Sequence, residues 1–177
     1  MKILVASDIH GSKYYANKIE EIVKKEQIEK IILLGDLYYH GPRNMLTQEY
    51  NPMEVANILN RLKEKIQCVK GNCDAEVDEM ISEFNFEDSI RLKLNGKNFF
   101  FTHGHKYNID NIPENVDILI YGHFHTGFIK EKENVLCINS GSISLPKNNT
   151  KNSYLIIDNN QIILKDVDGN VIEYTNI

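Results

Sequence analysis

Five short apolar runs in this chain each stop at a polar cluster of one kind. Residues 2–7 run into Asp8-Ile9-His10, residues 30–34 into Gly35-Asp36, and residues 66–70 into Gly71-Asn72. Residues 97–102 end at His103-Gly104-His105, and residues 117–121 at Gly122-His123-Phe124-His125. Short apolar runs rich in β-branched residues and bounded by turn residues read as buried strands. Ligand sites in open α/β sheets lie beyond the carboxyl ends of the strands. The pattern therefore predicts sheets that collect these side chains along one edge. All six histidines of the chain lie in these clusters or in the loop after Asp36.

The segments between the runs indicate how they connect. Tyr15, Ile19, Ile22 and Val23 recur at helical spacing after Ser12, a suitable N-cap. Pro52 suits a first helical turn, and Val55, Ile58, Leu59 and Leu62 continue a helix to Lys65. A short third helix is expected over residues 76–83. Strand, helix, strand favours a parallel pair with a right-handed crossover. From residue 90 the character changes. Ile90, Leu92 and Leu94 alternate with polar residues, and Asn95-Gly96 is a strong two-residue hairpin turn. Residues 128–131 with 135–138, and 154–158 with 161–165 across Asn159-Asn160, read as further strand pairs, and Asp168-Gly169 as another turn. The expectation is a β/α N-terminal half joined without a linker to a mostly antiparallel C-terminal half, in one domain spanning residues 1–177.

Composition narrows the partners. The 177 residues carry 20 basic and 25 acidic side chains, a net charge of −5, which argues against a nucleic-acid polymer as ligand. No apolar run approaches the roughly 18 residues of a membrane span. The N-terminal apolar stretch is too short for a signal peptide. Three scattered cysteines form no disulfide framework, so a reduced, cytoplasmic setting is expected. Residues 35–51 make a loop longer than compact domains usually tolerate without a function. Tyr38, Tyr39 and Met45 within it are consistent with a homo-oligomer.

The residue types at the strand ends fit one chemistry. Two carboxylates, one amide and several imidazoles form a nitrogen/oxygen ligand set suited to Mn, Fe, Zn or Ni. Asp8 and His10, and likewise His123 and His125, are two residues apart, so in an extended segment each pair faces one side. Asp36 has two oxygens and can bridge two cations. Two divalent ions about 3.5–4 Å apart can clamp a phosphate and hold a hydroxide for in-line attack. A neutral Asn72 preserves the positive balance of such a site better than another carboxylate would. His40 and Arg43 follow Asp36 in the long loop, and a guanidinium matches phosphate geometry.

In their order, Asp8-x-His10, Gly35-Asp36, Gly71-Asn72, His103-Gly104-His105 and Gly122-His123-x-His125 resemble the signature of the calcineurin-like metallophosphoesterases. Asn139-Ser140-Gly141-Ser142 extends the match more weakly. Small size, Ser-Asp-Ile-His-Gly-Ser, His-Gly-Pro-Arg-Asn, Gly-Asn-Cys-Asp and the lack of a cap domain most resemble the YfcE-type phosphodiesterase branch. The resemblance implies an α/β fold of two face-to-face β-sheets flanked by helices, in αββα layers. It implies two divalent ions, Mn foremost, with Asp8, His10, Asp36 and His125 on one and Asp36, Asn72, His103 and His123 on the other. It implies hydrolysis of a small-molecule phosphodiester through a hydroxide shared by the two metals. Asn72 is assigned a catalytic role, and His40 and Arg43 are read as substrate-binding from their place in the loop after Asp36. Two positions depart from the broad family. Cys73 stands where a histidine commonly assists the leaving group, and Ser140 stands where proline is common.

Competing readings are specific. His105 either orients His103 or a phosphate, or caps a loop. Cys68 and Cys137 sit in apolar strands and suit the core. Cys73 needs no nucleophilic role where a metal supplies hydroxide. A binding scaffold of this fold, like the metallophosphoesterase-like subunit of the retromer coat, would not need the full histidine set. A phosphomonoesterase would use the same ligands. A DNA nuclease would call for basic surface that an acidic chain lacks.

Overall fold

A computed structural model describes all 177 residues. The strands are β1 (Ile3–Ala6), β2 (Lys30–Leu33), β3 (Ile66–Val69), β4 (Phe86–Glu87), β5 (Ile90–Leu94) and β6 (Lys97–Phe101). They continue as β7 (Ile118–Tyr121), β8 (Phe128–Lys132), β9 (Val135–Asn139), β10 (Ser153–Asp158), β11 (Gln161–Asp166) and β12 (Val171–Asn176). The helices are α1 (Lys13–Lys25), α2 (Pro52–Asn60) and α3 (Glu76–Ile81). Seven strands form one sheet in the order β12-β11-β10-β1-β2-β3-β4, and five form a second in the order β5-β6-β7-β9-β8.

Period-two alternation builds the layers. Ile3 and Val5 of β1 point into the space between the sheets, where they meet Phe99, Phe101, Ile118 and Ile120 of the second sheet. Leu4 and Ala6 point the other way, onto Ile19, Ile22 and Val23 of α1 and Val55, Ile58 and Leu59 of α2. The expected two-sheet sandwich is therefore present. Helices cover the outer face of the seven-stranded sheet. Over the five-stranded sheet no helix occurs; Ile109, Ile112 and Val116 from an irregular segment pack on Phe100, Leu119 and Tyr121 instead.

Local signals hold where they are strong. Ser12 caps α1, its hydroxyl accepting from the Tyr15 amide at 3.3 Å. Pro52 opens α2 behind Asn51, whose side chain accepts from the Glu54 amide at 3.2 Å. β1 and β2 pair in parallel, and β5 and β6 form the Asn95-Gly96 hairpin. Several expectations need correction. α2 ends at Asn60 rather than Lys65, and a 3-10 turn at Lys63–Lys65 follows it. β7 lies parallel to both β6 and β9, so the second half is less uniformly antiparallel than its hairpins suggest. β10 returns to pair antiparallel with β1, which joins the two halves of the chain in one sheet. The edge strands β4 and β12 were not expected: β4 has two residues, and β12 exposes most of its side chains.

One ion-pair cluster ties these elements behind the site. Glu26, just past α1, accepts from Lys2 Nζ at 2.7 Å and Lys165 Nζ at 2.8 Å. The Lys165 contact first, then Lys2, holds its carboxyl down at about 2 against an ordinary 4.5. A carboxyl depressed on folding contributes stability above its unfolded value and loses it as pH falls toward the folded one. Glu26→Gln should lower stability at pH 7 by about 1–2 kcal/mol, the group being mostly buried and doubly paired. In thermal melts the gap from wild type should shrink between pH 4.5 and pH 2. A gap that stays constant over that range would remove this assignment.

Candidate metal centre

The strand ends deliver Asp8, His10, Asp36, Asn72, His103, His123 and His125 to one place. Asp8 and His103 are fully buried, and His10, Asp36 and His125 nearly so. Two sets of donor atoms converge there: Asp8, His10 and His125, and Asp8, Asp36 and His103.

The hydrogen-bond partners fix which ring nitrogens face inward. His10 Nδ1 lies 2.7 Å from the Tyr39 carbonyl, His103 Nδ1 2.6 Å from Leu34 O, and His125 Nδ1 2.6 Å from Leu145 O. A carbonyl only accepts, so each Nδ1 carries the proton and each Nε2 presents a lone pair, the arrangement usual for metal-binding imidazoles. His10 Nε2 then sits 3.5 Å from Asp8 Oδ1, 3.7 Å from Asp36 Oδ2 and 3.3 Å from His125 Nε2. His125 Nε2 is 3.2 Å from Asp8 Oδ1. His103 Nε2 is 3.4 Å from Asp36 Oδ1 and 2.9 Å from Asn72 Oδ1, while His123 reaches it through Nδ1 at 3.2 Å. Asp36 thus spans the two groups, with Oδ2 toward His10 and Oδ1 toward His103.

Acceptors gathered this way repel one another unless a cation or protons lie among them. Asp8 Oδ1 is buried with no hydrogen-bond partner at all. The surrounding charges pull the same way: the two carboxylates favour a positive charge, a proton or a cation, at the inward Nε2 atoms. Burial alone would raise Asp8, yet His10 and His125 hold it well below the carboxylate range. Burial opposes charge on His103, and Asp36 with Asp8 outweighs it, lifting the ring to about 9. A buried oxygen with no donor and inward lone pairs fit the donor set of a divalent metal.

The other carboxylate oxygens hold the loops in place. His123 N–H donates to Asp8 Oδ2 at 2.9 Å, and Cys73 N–H to Asp36 Oδ1 at 2.9 Å. Both contacts need glycine. A Cβ on Gly122 would lie 2.0 Å from Ser7 Oγ and 2.7 Å from Asp8 Oδ2, and one on Gly71 2.1 Å from Asp36 Oδ1. Asp8, His10, Asp36, His123 and His125 all adopt left-handed backbone, with φ between 48° and 64°. Non-glycine residues are seldom found there, and such strain clusters at functional sites.

A cleft of about 630 Å³ opens over this centre. Arg43, Cys73 and Tyr39 line it. His40 does not; its ring packs edge-on to Tyr39 and Tyr50. Tyr38 is buried with its hydroxyl on Ser82, whereas Tyr39 and Met45 are exposed. His105 lies beside the site, its ring 5.4 Å from that of His103. Burial, then the Asp36 carboxylate, pushes the Cys73 thiol up to about 12, and Asn72 Nδ2 donates to its sulfur at 3.3 Å. A thiol kept protonated by burial and a neighbouring carboxylate is a poor nucleophile. Cys68 and Cys137 are buried, as expected of core residues.

Four residues of the site were missed in the sequence. Ser142 and Ser144 both donate to the Asp8 carbonyl at 2.8 Å. Lys147, with no local signal of a site role, also lines the cleft. Asp74 accepts from the amides of Asp36 at 2.8 Å, Leu37 at 2.9 Å and Gly71 at 2.7 Å. The Asn-Ser-Gly-Ser run and the Asp of Gly-Asn-Cys-Asp were visible signals for two of them.

Residues 1–161 match the calcineurin-like phosphoesterase superfamily domain, and the chain belongs to that family. It is 37% identical to phosphodiesterase YfcE of Escherichia coli K12 over 162 residues, 90% of this chain and 88% of that one. The solved structure of Yfce, described as a phosphoesterase from E. coli, superposes with a TM-score of 0.96 over 100% of both chains, at 34% identity. Phosphodiesterase MJ0936 of Methanocaldococcus jannaschii is 29% identical over 80% of this chain and 83% of its own length. No helix is long and apolar enough to cross a membrane.

Asp74 gives a test of how the centre is held. Asp74→Asn keeps the shape but turns an NH₂ toward one of three N–H donors. It should cost about 1–3 kcal/mol of stability and weaken divalent-metal binding measured by titration calorimetry. Unchanged melting and unchanged metal affinity would make these three bonds dispensable.

Proposed function

We propose that this protein is a metal-dependent phosphodiesterase acting on a small-molecule phosphodiester. The observation that carries the reading is the buried acceptor cluster, with Asp8 Oδ1 lacking any partner and imidazole lone pairs aimed at it. The name of the relative YfcE supports it. Asp8, His10, Asp36 and His125 would hold one cation, and Asp36, Asn72, His103 and His123 a second, with Asp36 shared. When bound, such a pair would supply charge neutralisation at the phosphoryl group and lower the pKa of a water toward about 7, making it a nucleophile. The carbonyls of Tyr39, Leu34 and Leu145 keep the imidazole lone pairs inward, and Asn72 contributes a neutral oxygen that leaves the site positive for an anionic ester. Arg43 on the cleft wall binds phosphate oxygens, and His40 orders the loop that carries it by packing on Tyr50.

Mn is the ion that the family resemblance favours, and the nitrogen/oxygen donor set equally accommodates Fe, Zn or Ni. Three unpaired cysteines suit a cytoplasmic setting. Exposed Tyr39, Met45 and Leu46 near the cleft are compatible with a homo-oligomer. The complete donor set favours catalysis over a scaffold role, and no observation favours a phosphomonoesterase.

Metal analysis tests the ligand assignment. Asp36→Asn should disturb both ions, while His125→Ala should mainly lose one, counted by elemental analysis after dialysis against Mn. Chelated protein that keeps full activity on bis(4-nitrophenyl) phosphate and contains no metal would end the proposal.

The leaving group gives a second test. A general acid contributes typically about 10²–10⁴-fold, and a thiol is a poorer donor than imidazolium near neutral pH. Cys73→His should therefore gain activity mostly on esters of alkyl alcohols and little on nitrophenyl esters, compared at matched metal occupancy. Equal gains on both, or none on either, would count against a proton-transfer role at this position.

A further inference from the structure

Two cations face the cleft without a carboxylate partner. Arg43 comes from the loop after β2 and Lys147 from the segment between β9 and β10. Both are exposed, and neither has a carboxylate oxygen within 4.0 Å, although the chain carries an acidic excess. Lys147 is not loosely placed. Its N–H donates to the His125 carbonyl at 2.9 Å, and its own carbonyl accepts from Thr150 N at 3.0 Å and Thr150 Oγ1 at 2.8 Å. Leu145, two residues earlier, accepts from His125 Nδ1 at 2.6 Å. The lysine is thus anchored to the same stretch of backbone that orients a ligand of the centre.

Charge and proton supply together restrict the substrate. A simple diester carries one negative charge, which the centre itself can match. Two further cations on the rim suit a substrate with a second anionic phosphate. The cleft is also poor in proton donors. Every imidazole and carboxyl group that lines it, namely His10, His123, His125 and Asp36, belongs to the donor cluster. A departing alcohol would find only the weakly acidic Tyr39 phenol, Cys73 thiol and Lys147 ammonium outside the donor cluster, whereas a departing phosphate, whose second ionisation lies near pH 6, leaves without an acid.

We propose that the preferred substrates are pyrophosphate diesters, two esterified phosphates joined through one bridging oxygen, with Lys147 and Arg43 binding the phosphate that is not attacked. This rests on the phosphodiesterase reading and narrows it. Water's oxygen bonds to one phosphorus as the bond from that phosphorus to the bridging oxygen breaks. The electron pair stays on the bridging oxygen. The two protons of water end on the two phosphate monoesters or pass to solvent, so no other reactant is consumed.

The test uses the Mn-loaded full chain with three substrates: ADP-ribose as the pyrophosphate diester, the dinucleotide TpT as an unactivated simple diester, and bis(4-nitrophenyl) phosphate as an activated one. Wild type should cleave ADP-ribose to two monoesters with kcat/KM at least about tenfold above that for TpT. Lys147→Gln should raise KM for ADP-ribose about tenfold more than it raises KM for bis(4-nitrophenyl) phosphate, with kcat less affected, and Lys147→Arg should restore most of the loss. Metal content and melting temperature, measured on each variant, report whether the centre is intact. Equal losses on both substrates, or TpT cleaved as fast as ADP-ribose, would overturn the pyrophosphate assignment while leaving the phosphodiesterase reading in place. Loaded wild type that cleaves none of the three would remove both.

Discussion

Two buried carboxylates and four imidazoles share one corner of this protein, and the fold supplies almost no hydrogen-bond donors to the atoms that point at one another. Only backbone N–H groups from His123 and Cys73 reach the carboxylates of Asp8 and Asp36, each at 2.9 Å. Such a concentration of acceptors is unfavourable alone and favourable around a cation. The rest of the molecule is arranged to tolerate it. Two sheets, sharing a core of Ile3, Val5, Ile32, Phe99 and Ile120, bring β1, β2 and β3 of one sheet alongside β6 and β7 of the other. No single loop could hold these residues as closely, since each is anchored to a strand buried on both faces.

Strain is the second part of the arrangement. Five of the seven clustered residues have left-handed backbone, a conformation that costs on the order of 1 kcal/mol or more for non-glycine residues. The turn it produces lets Asp8 and His10, or His123 and His125, both face the centre immediately after a strand. The compensating bonds are visible. Two serine hydroxyls hold the Asp8 carbonyl, and Asp74 gathers three amides from the loops that follow β2 and β3. Ser140 fits the same economy: its neighbour Asn139 donates to the Gly122 carbonyl at 2.7 Å and accepts from Gly141 N at 2.8 Å, so the turn is fixed without proline.

What could be read in the sequence follows from range. Signals that act over a few residues, such as the Ser12 cap, Pro52 at a helix start and Asn95-Gly96 in a hairpin, were legible because local chemistry decides them. The metal-type residues were legible because they sit at the ends of apolar runs in a recurring order. Pairing was not. Nothing in residues 118–121 or 135–139 says that these strands lie side by side in parallel, since that depends on where β8 turns. β12 escaped notice because Val171, Ile172 and Tyr174 are exposed on an edge, without the alternation that burial on one face imposes. Lys147 carries no local signal, because only the bond to His125 brings it to the cleft.

The cleft divides its work between these two kinds of structure. On the proposed reading, the groups that would face the reacting phosphorus come from strand ends, locked by carbonyls, glycine contacts and buried neighbours. Those that would face the remainder of a substrate come from the 35–51 loop and the segment after β9, where Arg43 and Lys147 are exposed. Fixed geometry at the first position matters because misplacement by about 1 Å can cost about 100-fold in rate. Exposed cations at the second contribute through charge, which tolerates movement and acts at longer range. A change on the rim should therefore alter which ester binds without disturbing the centre, whereas a change at Asp8 or Asp36 removes the reason for the whole arrangement.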